Sequence, residues 1–236
     1  MANRITLADY GLDGHAGYSA KGEGDTPKGY MGLYATQIFP RLMDWVMARP
    51  AFEQLREALL QPASGEILEI GFGTGLNLRH YPTTITRLFI VDPAILLPAR
   101  VARRMAAAPY PIQTIHVPAE DLPFPERQFD TVVSTWTLCT IPDPVLALQE
   151  VRRVLKPEGR FLFLEHGRSN DRKIAAWQDR LNPIQNMIGC GCNLNRQIDR
   201  LITQSGLTTV HLDRFSMQDV PRLAGEMYRG TATRPD

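Results

Sequence analysis

One stretch constrains the fold of this chain more than any other: the ten residues Ile67-Leu-Glu-Ile-Gly-Phe-Gly-Thr-Gly-Leu76. The apolar residues at its start predict a buried strand, with the acid Glu69 near its end. Three glycines then alternate with other residues, and they let the backbone take positive φ and let a ligand approach without a Cβ in the way. A strand that runs into such a loop is typical of nucleoside-binding sites, whereas a glycine turn without a ligand is the less favoured interpretation.

A second acid follows 21 residues after Gly71. It ends another apolar segment, Leu88-Phe-Ile-Val-Asp92, and is followed by Pro93. At the tip of the neighbouring parallel strand, Asp92 is placed to accept hydrogen bonds from the two ribose hydroxyls of a nucleoside. The two segments together predict a nucleoside-cofactor site of Rossmann type.

The spacing of the loop separates two classes of cofactor. A dinucleotide fingerprint reads Gly-x-Gly-x-x-Gly and sets a pyrophosphate on a helix N-terminus, but the spacing here is Gly-x-Gly-x-Gly. Glu69 would repel a phosphate, whereas it suits the sulfonium and α-ammonium groups of S-adenosyl-L-methionine, which carries no phosphate. We therefore expect S-adenosyl-L-methionine as the cofactor. The expected contacts near this loop are Glu69, Gly71, Gly73, Gly75, Asn77, Asp92 and Pro93.

Composition narrows the class of protein. At 236 residues and 44% hydrophobic content, the chain is long enough for one α/β domain with a substantial core. A net charge of +1 gives no electrostatic footprint for nucleic acid. Three cysteines without a secretory signal indicate free thiols in a reducing compartment, so we expect a cytoplasmic protein. The sequence contains no apolar run of about 18 residues, so we predict no transmembrane helix. Peripheral membrane contact and the oligomeric state stay open.

The chain divides into two parts. Residues 1–29 are rich in glycine and poor in large apolar residues, which predicts a tail or a lid over the substrate pocket. Residues 30–236 form the expected domain. It opens with apolar residues at helical spacing over 31–60, interrupted by prolines, which predicts extra helices before the first strand.

Strands and helices alternate in the rest of the chain, as in a parallel sheet covered on both faces. The further predicted strands are 112–117, 129–134, 161–164, 208–212 and 226–233. The predicted helices are 94–108, one beginning after the N-cap Asp143, and 194–205 after the N-cap Asn193.

Ligands bind beyond the carboxyl ends of strands in open α/β sheets. This rule brings Thr135 and Trp136, at the exit of the fourth strand, beside the methyl donor. It also brings His166, at the tip of the fifth strand, to the cleft as a candidate general base or thiol-orienting group, with Glu165 fixing its tautomer. A purely structural histidine is the alternative.

The cysteines are the remaining candidates for chemistry. The pair Cys190-x-Cys192 lacks a second cysteine pair or a histidine cluster, so it makes a poor zinc site, and we expect no metal. Cys139 and Cys192 are instead expected to be small residues that line the pocket.

The glycine loop, with Asp92, resembles motifs I and II of the class I S-adenosylmethionine-dependent methyltransferases. That resemblance implies a Rossmann-like, seven-stranded, mostly parallel sheet with an antiparallel last strand, flanked by helices. Residues 118–124 resemble the adenine-binding turn of this family. Pro118 stands where many relatives have an acid, so the expected adenine contacts are Ala119 and Glu120.

A narrower resemblance covers roughly residues 65–233 and points to the methyltransferase-like thiol S-methyltransferase family. It implies S-methylation of a small thiol or sulfide in a pocket formed by Leu138, Cys139, Trp177 and Cys192. Bacterial phospholipid and quinone-precursor methyltransferases share the general segments, so amine, phospholipid and phenol acceptors stay open, as does a protein that binds the cofactor without transfer. The resemblance is carried by the segments 68–75, 137–140, 151–159, 165–166, 177–178 and 191–194.

Overall fold

A computed structural model describes residues 30–93 and 96–235 of the chain. The interpretation of residues 1–29 as a tail or lid falls outside these described residues. The α-helices are α1 (Tyr30–Leu33), α2 (Phe39–Met47), α3 (Pro50–Leu60), α4 (Pro98–Ala106), α5 (Pro144–Val154), α6 (Arg172–Ile188) and α7 (Ile198–Gln204). The strands are β1 (Glu66–Ile70), β2 (Arg87–Val91), β3 (Ile112–Ile115), β4 (Phe129–Thr135), β5 (Leu155–His166), β6 (Thr208–Ser216) and β7 (Glu226–Thr233). None of the described helices combines the length and apolar character needed to cross a membrane.

The strands form one sheet in the order β3-β2-β1-β4-β5-β7-β6. The first five strands are parallel, and β7 runs antiparallel to both of its neighbours. This confirms the predicted seven-stranded, mostly parallel sheet, and α1 to α3 are the expected extra helices before it. The chain leaves β1 and β4 toward opposite sides of the sheet, so their carboxyl ends flank a crevice of the kind in which ligands bind.

Side chains of the central strands are buried on both faces of the sheet, because helices cover each face. Along β5, Phe161 and Phe163 pack in the cluster that contains residues of α5 and α7. Leu162 and Leu164 pack on the opposite face with residues of α3 and α4. Because this alternation has a period of two, it directs Glu165 and His166 to opposite faces, although they are adjacent in the sequence.

Two predicted helices are shorter in the structure. The helix expected over 94–108 is α4, which has Pro98 in its first turn, where the missing N–H costs nothing. The helix expected over 194–205 begins only at Ile198, so the assignment of Asn193 as its N-cap was wrong. The Asn193 side chain instead donates to the carbonyl of Cys139 at 2.9 Å. The N-cap at Asp143 is confirmed, since its carboxylate accepts from the Leu146 amide at 3.0 Å.

Candidate functional site

A cavity of about 870 Å³ lies at the carboxyl edge of the sheet, where β1, β2 and β4 end. Its size is typical of small-molecule sites, which occupy about 300–1,000 Å³. Helices α2 and α3 and the loop after α6 form its other walls. Most of the predicted cofactor-binding residues line it: Gly71, Gly73, Asn77, Asp92, Pro93, Ala119, Glu120, Thr135 and Trp136. Glu69 and Gly75 do not.

The glycine loop follows β1 with the expected positive φ angles. At Gly71, where φ is +72°, an added Cβ would lie 2.0 Å from the Thr137 side chain. At Gly73, where φ is +57°, an added Cβ would meet no atom within 4 Å, so this part of the loop faces open cavity. The amide of Gly73 donates to Asp92 Oδ2 at 2.9 Å. The predicted ribose acceptor therefore also anchors the loop to the end of β2.

Glu69 lies behind the cavity wall rather than in it. Its side chain is buried, and it accepts hydrogen bonds from Asn77 Nδ2 at 2.9 Å and from the Tyr81 hydroxyl at 2.7 Å. Burial raises the pKa of this carboxyl to about 7, although the Tyr81 and Asn77 hydrogen bonds oppose the rise. The expectation of direct contact between Glu69 and the cofactor was wrong, because Asn77 stands between the carboxylate and the cavity.

The turn after β3 carries the predicted adenine contacts. Ala119 is buried and Glu120 is half-buried, and both line the cavity. Glu120 Oε1 accepts from the amide of Asp143 at 3.2 Å. This bond connects the turn to the N-terminus of α5, so the cavity wall at this point is fixed from two elements.

Trp136 lies at the exit of β4 in a strained conformation, with φ of +50°. Its ring meets Phe52 edge-on, with centroids 5.5 Å apart, and the Arg56 guanidinium lies 4.7 Å from the ring centroid. Its indole N–H donates to Met227 Sδ at 3.4 Å. Arg56 is itself buried, and burial lowers its pKa to about 10, so it is a cation at neutral pH. Sequence reasoning did not find Arg56, because it lies in an ordinary amphipathic helix.

Asp44 on α2 is a second residue that sequence reasoning missed. Its side chain is only 5% exposed. It accepts from the Thr74 hydroxyl at 2.6 Å and forms ion pairs with Arg100 and Arg104 of α4. Burial opposes ionisation, but the hydrogen bonds from Arg104 and Thr74 hold the pKa of Asp44 below its ordinary value. Asp44 thus connects the helix that covers the cavity to the glycine loop beneath it.

Glu165 does not contact the ring of His166, so the prediction that it fixes the tautomer was wrong. Its buried carboxylate accepts from the Ser134 hydroxyl at 2.6 Å and from the amides of Thr137 and Leu138 at 3.2 and 3.1 Å. Burial raises its pKa to about 7, against these hydrogen bonds. The period-two alternation of β5 explains the error, and the carboxylate serves to hold the turn after β4.

His166 faces the other way and meets two cysteines. Its Nε2 lies 3.2 Å from Cys192 Sγ, while no described residue hydrogen-bonds its Nδ1. The donor atoms of His166, Cys139 and Cys192 all lie within 4.8 Å of one another. Cys139 and His166 are buried, Cys192 is half-buried, and all three line the cavity. We call these three residues the cysteine–histidine cluster.

Contacts within the cysteine–histidine cluster shift the pKa values of its three side chains. A hydrogen bond from Cys139 is the main reason that the pKa of the Cys192 thiol is lowered to about 4; burial opposes this, and His166 supports it. The hydrogen bond to Cys192 also raises the pKa of Cys139 well above its usual range. Burial opposes protonation of His166, but the Cys192 thiolate raises the pKa of the imidazole. The cluster therefore favours a thiolate at Cys192 beside an imidazole whose pKa is raised.

Two predicted substrate contacts do not reach the cavity. Leu138 is fully buried in the core on the face that packs against α5. Trp177 is 53% exposed on α6, with the Arg180 guanidinium 5.6 Å from its ring centroid. The expectation that these residues bind substrate was wrong, because Leu138 turns into the core and Trp177 turns toward solvent.

A smaller cavity of about 290 Å³ lies between α6 and the strands β6 and β7 and includes three arginines. Arg168 is already paired with Asp179, and Arg214 lies 3.5 Å from Asp199. Since two of these three charges are compensated and the predicted site residues lie elsewhere, the larger cavity is the candidate functional site.

Comparison with known proteins agrees with this geometry. A family model described as Methyltransferase domain matches residues 68–163, the part that runs from β1 to β5. The N-methyltransferase NodS from Bradyrhizobium japonicum, solved in complex with S-adenosyl-l-homocysteine, has a similar fold with a TM-score of 0.62 and 18% identity. The similarity covers 85% of this chain and 98% of that one.

Sequence relatives include more than one kind of methyltransferase. Thiol S-methyltransferase TMT1B from Rattus norvegicus is 32% identical over 171 residues, which cover 70% of this chain and 69% of the relative. Phosphatidylethanolamine N-methyltransferase from Cereibacter sphaeroides is 27% identical over 127 residues, which cover 53% of this chain and 62% of the relative.

Proposed function

Because this chain belongs to the S-adenosylmethionine-dependent methyltransferases, in the family that includes the thiol S-methyltransferases, we propose that it methylates the sulfur of a small thiol or sulfide. The observation that carries the proposal is the cysteine–histidine cluster at one end of a cavity whose walls are largely apolar. Such walls suit a soft, polarisable acceptor better than a strongly hydrated one. The apolar side chains that line the cavity include Phe39, Met43, Met47, Phe52, Leu194 and Met227.

Binding of the cofactor is assigned to the other end of the cavity. We assign the ribose hydroxyls to Asp92, the close approach to the ligand to Gly71 and Gly73, and the adenine contacts to Ala119 and Glu120. We assign the cationic part of the ligand to the wall near Asn77, whose side-chain amide donates to the buried Glu69 carboxylate. Thr135 and Trp136, which also line the cavity, are assigned to the neighbourhood of the methyl group.

The protein has a modest chemical task. The bound sulfonium supplies an electrophilic methyl group, so the chain must orient an acceptor sulfur for in-line attack and favour its thiolate form. His166 can accept the thiol proton or orient the thiolate, and the buried Arg56 cation adds a positive field at the cavity wall. Apolar side chains exclude water from the attacking sulfur. No cysteine of the chain needs to act as a nucleophile.

A screen with S-adenosylmethionine labelled on the methyl group tests the proposal. Purified protein is incubated with matched sets of alkyl thiols, aryl thiols, amines, phenols and phospholipids, and transfer is counted for each. We expect label on thiols at rates at least tenfold above the other classes. Transfer to an amine, a phenol or a lipid without transfer to any thiol would overturn the assignment of the acceptor.

The raised pKa of Glu69 links cofactor binding to pH. Burial raises it from 4.5 to about 7, so between these values the folded protein holds a proton that the unfolded chain has lost. The stability contributed by this group therefore falls as pH rises from 4.5 toward 7. A cation bound next to Asn77 favours the carboxylate, so S-adenosylmethionine binding should release up to about half a proton per chain near pH 7.

Calorimetry in buffers of different ionisation enthalpy measures this proton release. Glu69→Gln should abolish it, since the amide does not titrate. Glu57→Gln, on the exposed side of α3, is the matched control and should leave it intact. Proton uptake by the unmodified protein, or equal release by both variants, would contradict the linkage.

A second candidate function, transfer to a lipid at a membrane surface, is favoured by a different observation. Large apolar side chains are exposed on α2 and on the end of α6, and the hydrogen bond from the Tyr34 hydroxyl to the Ile188 carbonyl, at 2.8 Å, brings these two elements together. Arg49 lies over the exposed Trp45 ring, 4.6 Å from its centroid, a pair suited to an interface. The exposed apolar residues of this surface are Leu33 at the end of α1, Ile38 just before α2, Leu42 and Trp45 on α2, and Ile184, Met187 and Ile188 at the end of α6.

Flotation with vesicles of phosphatidylethanolamine and an anionic phospholipid tests this candidate. If the surface docks on lipid, the double variant Leu42→Glu/Trp45→Glu should lose most of its vesicle-bound fraction. Val210→Glu replaces an exposed valine on β6 and should not. Absence of flotation by the unmodified protein, together with no transfer to the vesicle lipid, would remove the lipid candidate.

A further inference from the structure

We propose that Cys139, His166 and Cys192 bind a Zn²⁺ ion and that its fourth coordination position is open to the cavity. The site itself depends only on these three residues. Its use, which is to take the acceptor thiolate as fourth ligand, rests on the proposed function.

The donor atoms lie close to the spacing that a tetrahedral ion requires. Zinc bonds of about 2.3 Å to sulfur and about 2.0 Å to nitrogen put neighbouring donors roughly 3.5–3.8 Å apart. Here the three donor atoms lie within 4.8 Å of one another, with His166 Nε2 at 3.2 Å from Cys192 Sγ. Small rotations of side chains are enough to close the site.

Besides the bond from the Cys139 thiol to the Trp136 carbonyl at 3.6 Å, hydrogen bonds that do not involve sulfur hold the backbone around the cluster. The amide and the side-chain Nδ2 of Asn193 both donate to the carbonyl of Cys139, at 3.0 and 2.9 Å. Arg196 donates to the carbonyl of Ile141 at 2.7 Å and to that of Leu138. These bonds fix the loop after β4 against the loop after α6. The two cysteines and the histidine at the end of β5 thus come from three elements whose relative positions are fixed.

The donor set and its exposure match a catalytic zinc site rather than a structural one. Two thiolates and one imidazole are ligands that Zn²⁺ prefers. Structural sites close with four protein ligands, whereas catalytic sites keep a position for water or substrate. Cys139 and His166 are buried, but Cys192 is half-buried at the cavity wall, so the fourth position faces the acceptor end.

The chemistry balances with the ion as a Lewis acid and no redox step. The S–H bond of the acceptor breaks as its sulfur binds zinc, and the proton passes to solvent. The sulfur then forms its bond to the methyl carbon while the bond from that carbon to the sulfonium breaks. The product is a neutral thioether, which is a weaker ligand than a thiolate and leaves the metal.

Cobalt provides a direct readout of the site. The reduced, metal-free protein is titrated with Co²⁺, and thiolate-to-cobalt absorption is recorded; Zn²⁺ is then counted by mass spectrometry after dialysis. We expect one ion per chain. Cys139→Ser, Cys192→Ser and His166→Gln should each lower the affinity at least tenfold, while Cys190→Ser is the matched control. Cys190 is exposed, two residues from Cys192, and outside the cluster.

The outcomes separate this site from the proposed function. S-adenosylhomocysteine affinity is measured for each variant, so that a misfolded variant is recognised and replaced by Cys139→Ala or Cys192→Ala. No metal bound by protein with three free thiols, or equal loss in Cys190→Ser, overturns the zinc site even if thiols are methylated. Metal bound with no thiol methylated supports the site and overturns the thiol acceptor. If a thiol is methylated but its addition does not change the spectrum of the cobalt-loaded protein, the metal site stands and the proposed open coordination position is overturned.

Discussion

Replacement of Asp92 by alanine should weaken S-adenosylmethionine binding by about 2–4 kcal/mol, roughly 30- to 700-fold in Kd. Asp92 lines the cavity at the end of β2 and accepts from the amide of Gly73 at 2.9 Å. The alanine variant loses the charge-assisted hydrogen bonds proposed for the ribose hydroxyls. It also removes the acceptor of the Gly73 amide, so among the described residues the loop keeps only the bond from the Gly71 amide to the Val91 carbonyl as a link to β2.

Calorimetric titration with S-adenosylmethionine measures this loss, and two further variants locate its origin. Asp92→Asn keeps an acceptor oxygen without the charge, so it should lose less than the alanine variant. Asp213→Ala removes a surface carboxylate on β6 that pairs with Arg229 at 2.8 Å, and it should bind normally. An unchanged Kd in Asp92→Ala would remove this residue from the cofactor site.

The cofactor end of the cavity could be predicted from sequence because its determinants are local. A buried strand, a glycine loop and the acid at the next strand tip follow each other within about 25 residues, and parallel pairing of β1 with β2 brings Asp92 beside Gly73. Sequence spacing therefore determines which residues meet. The depth of Glu69 could not be read in this way, because it depends on Asn77 and Tyr81 closing over the carboxylate.

The acceptor end was harder to predict because its contacts are long-range. Cys192 was paired in the sequence with its neighbour Cys190, but in the structure it meets Cys139 and His166, which lie on other elements. Asp44 and Arg56 reach the cavity from helices that precede the sheet, and neither belongs to a motif. Tertiary packing brings these residues together, and no short sequence motif predicts their contacts.

The predicted contact between Glu165 and His166 conflicts with strand geometry. Glu165 and His166 are neighbours in the sequence, and adjacent residues of a strand point to opposite faces of the sheet. A continuous apolar run before them had already predicted a strand buried on both faces. The same rule that identified β5 therefore excludes a hydrogen bond between the two side chains and assigns Glu165 to the support of the turn after β4.

Removal of the His166 imidazole should lower methyl transfer to a thiol by about 10²- to 10⁴-fold while leaving cofactor affinity nearly unchanged. The ring lies at the acceptor end of the cavity, with Nε2 at 3.2 Å from Cys192 Sγ. Alanine removes the group that accepts the thiol proton or orients the thiolate or, where zinc is bound and the proton passes to solvent, one of the three proposed zinc donors. Either role acts on the acceptor sulfur and not on the ribose or adenine contacts.

Steady-state rates with an alkyl thiol and an aryl thiol give this prediction its sharpest test. An aryl thiol is already largely ionised at neutral pH, so it needs less help to form the thiolate, and its rate should fall less in His166→Ala than the rate of the alkyl thiol. His211→Ala removes an exposed histidine on β6 and should change neither rate. A structural role for His166 predicts a different pattern, in which both thiols lose activity equally and S-adenosylhomocysteine affinity falls with them. Equal rates for His166→Ala and the unmodified protein would exclude the imidazole from the reaction, whereas a selective loss with the alkyl thiol would assign it to activation of the acceptor sulfur.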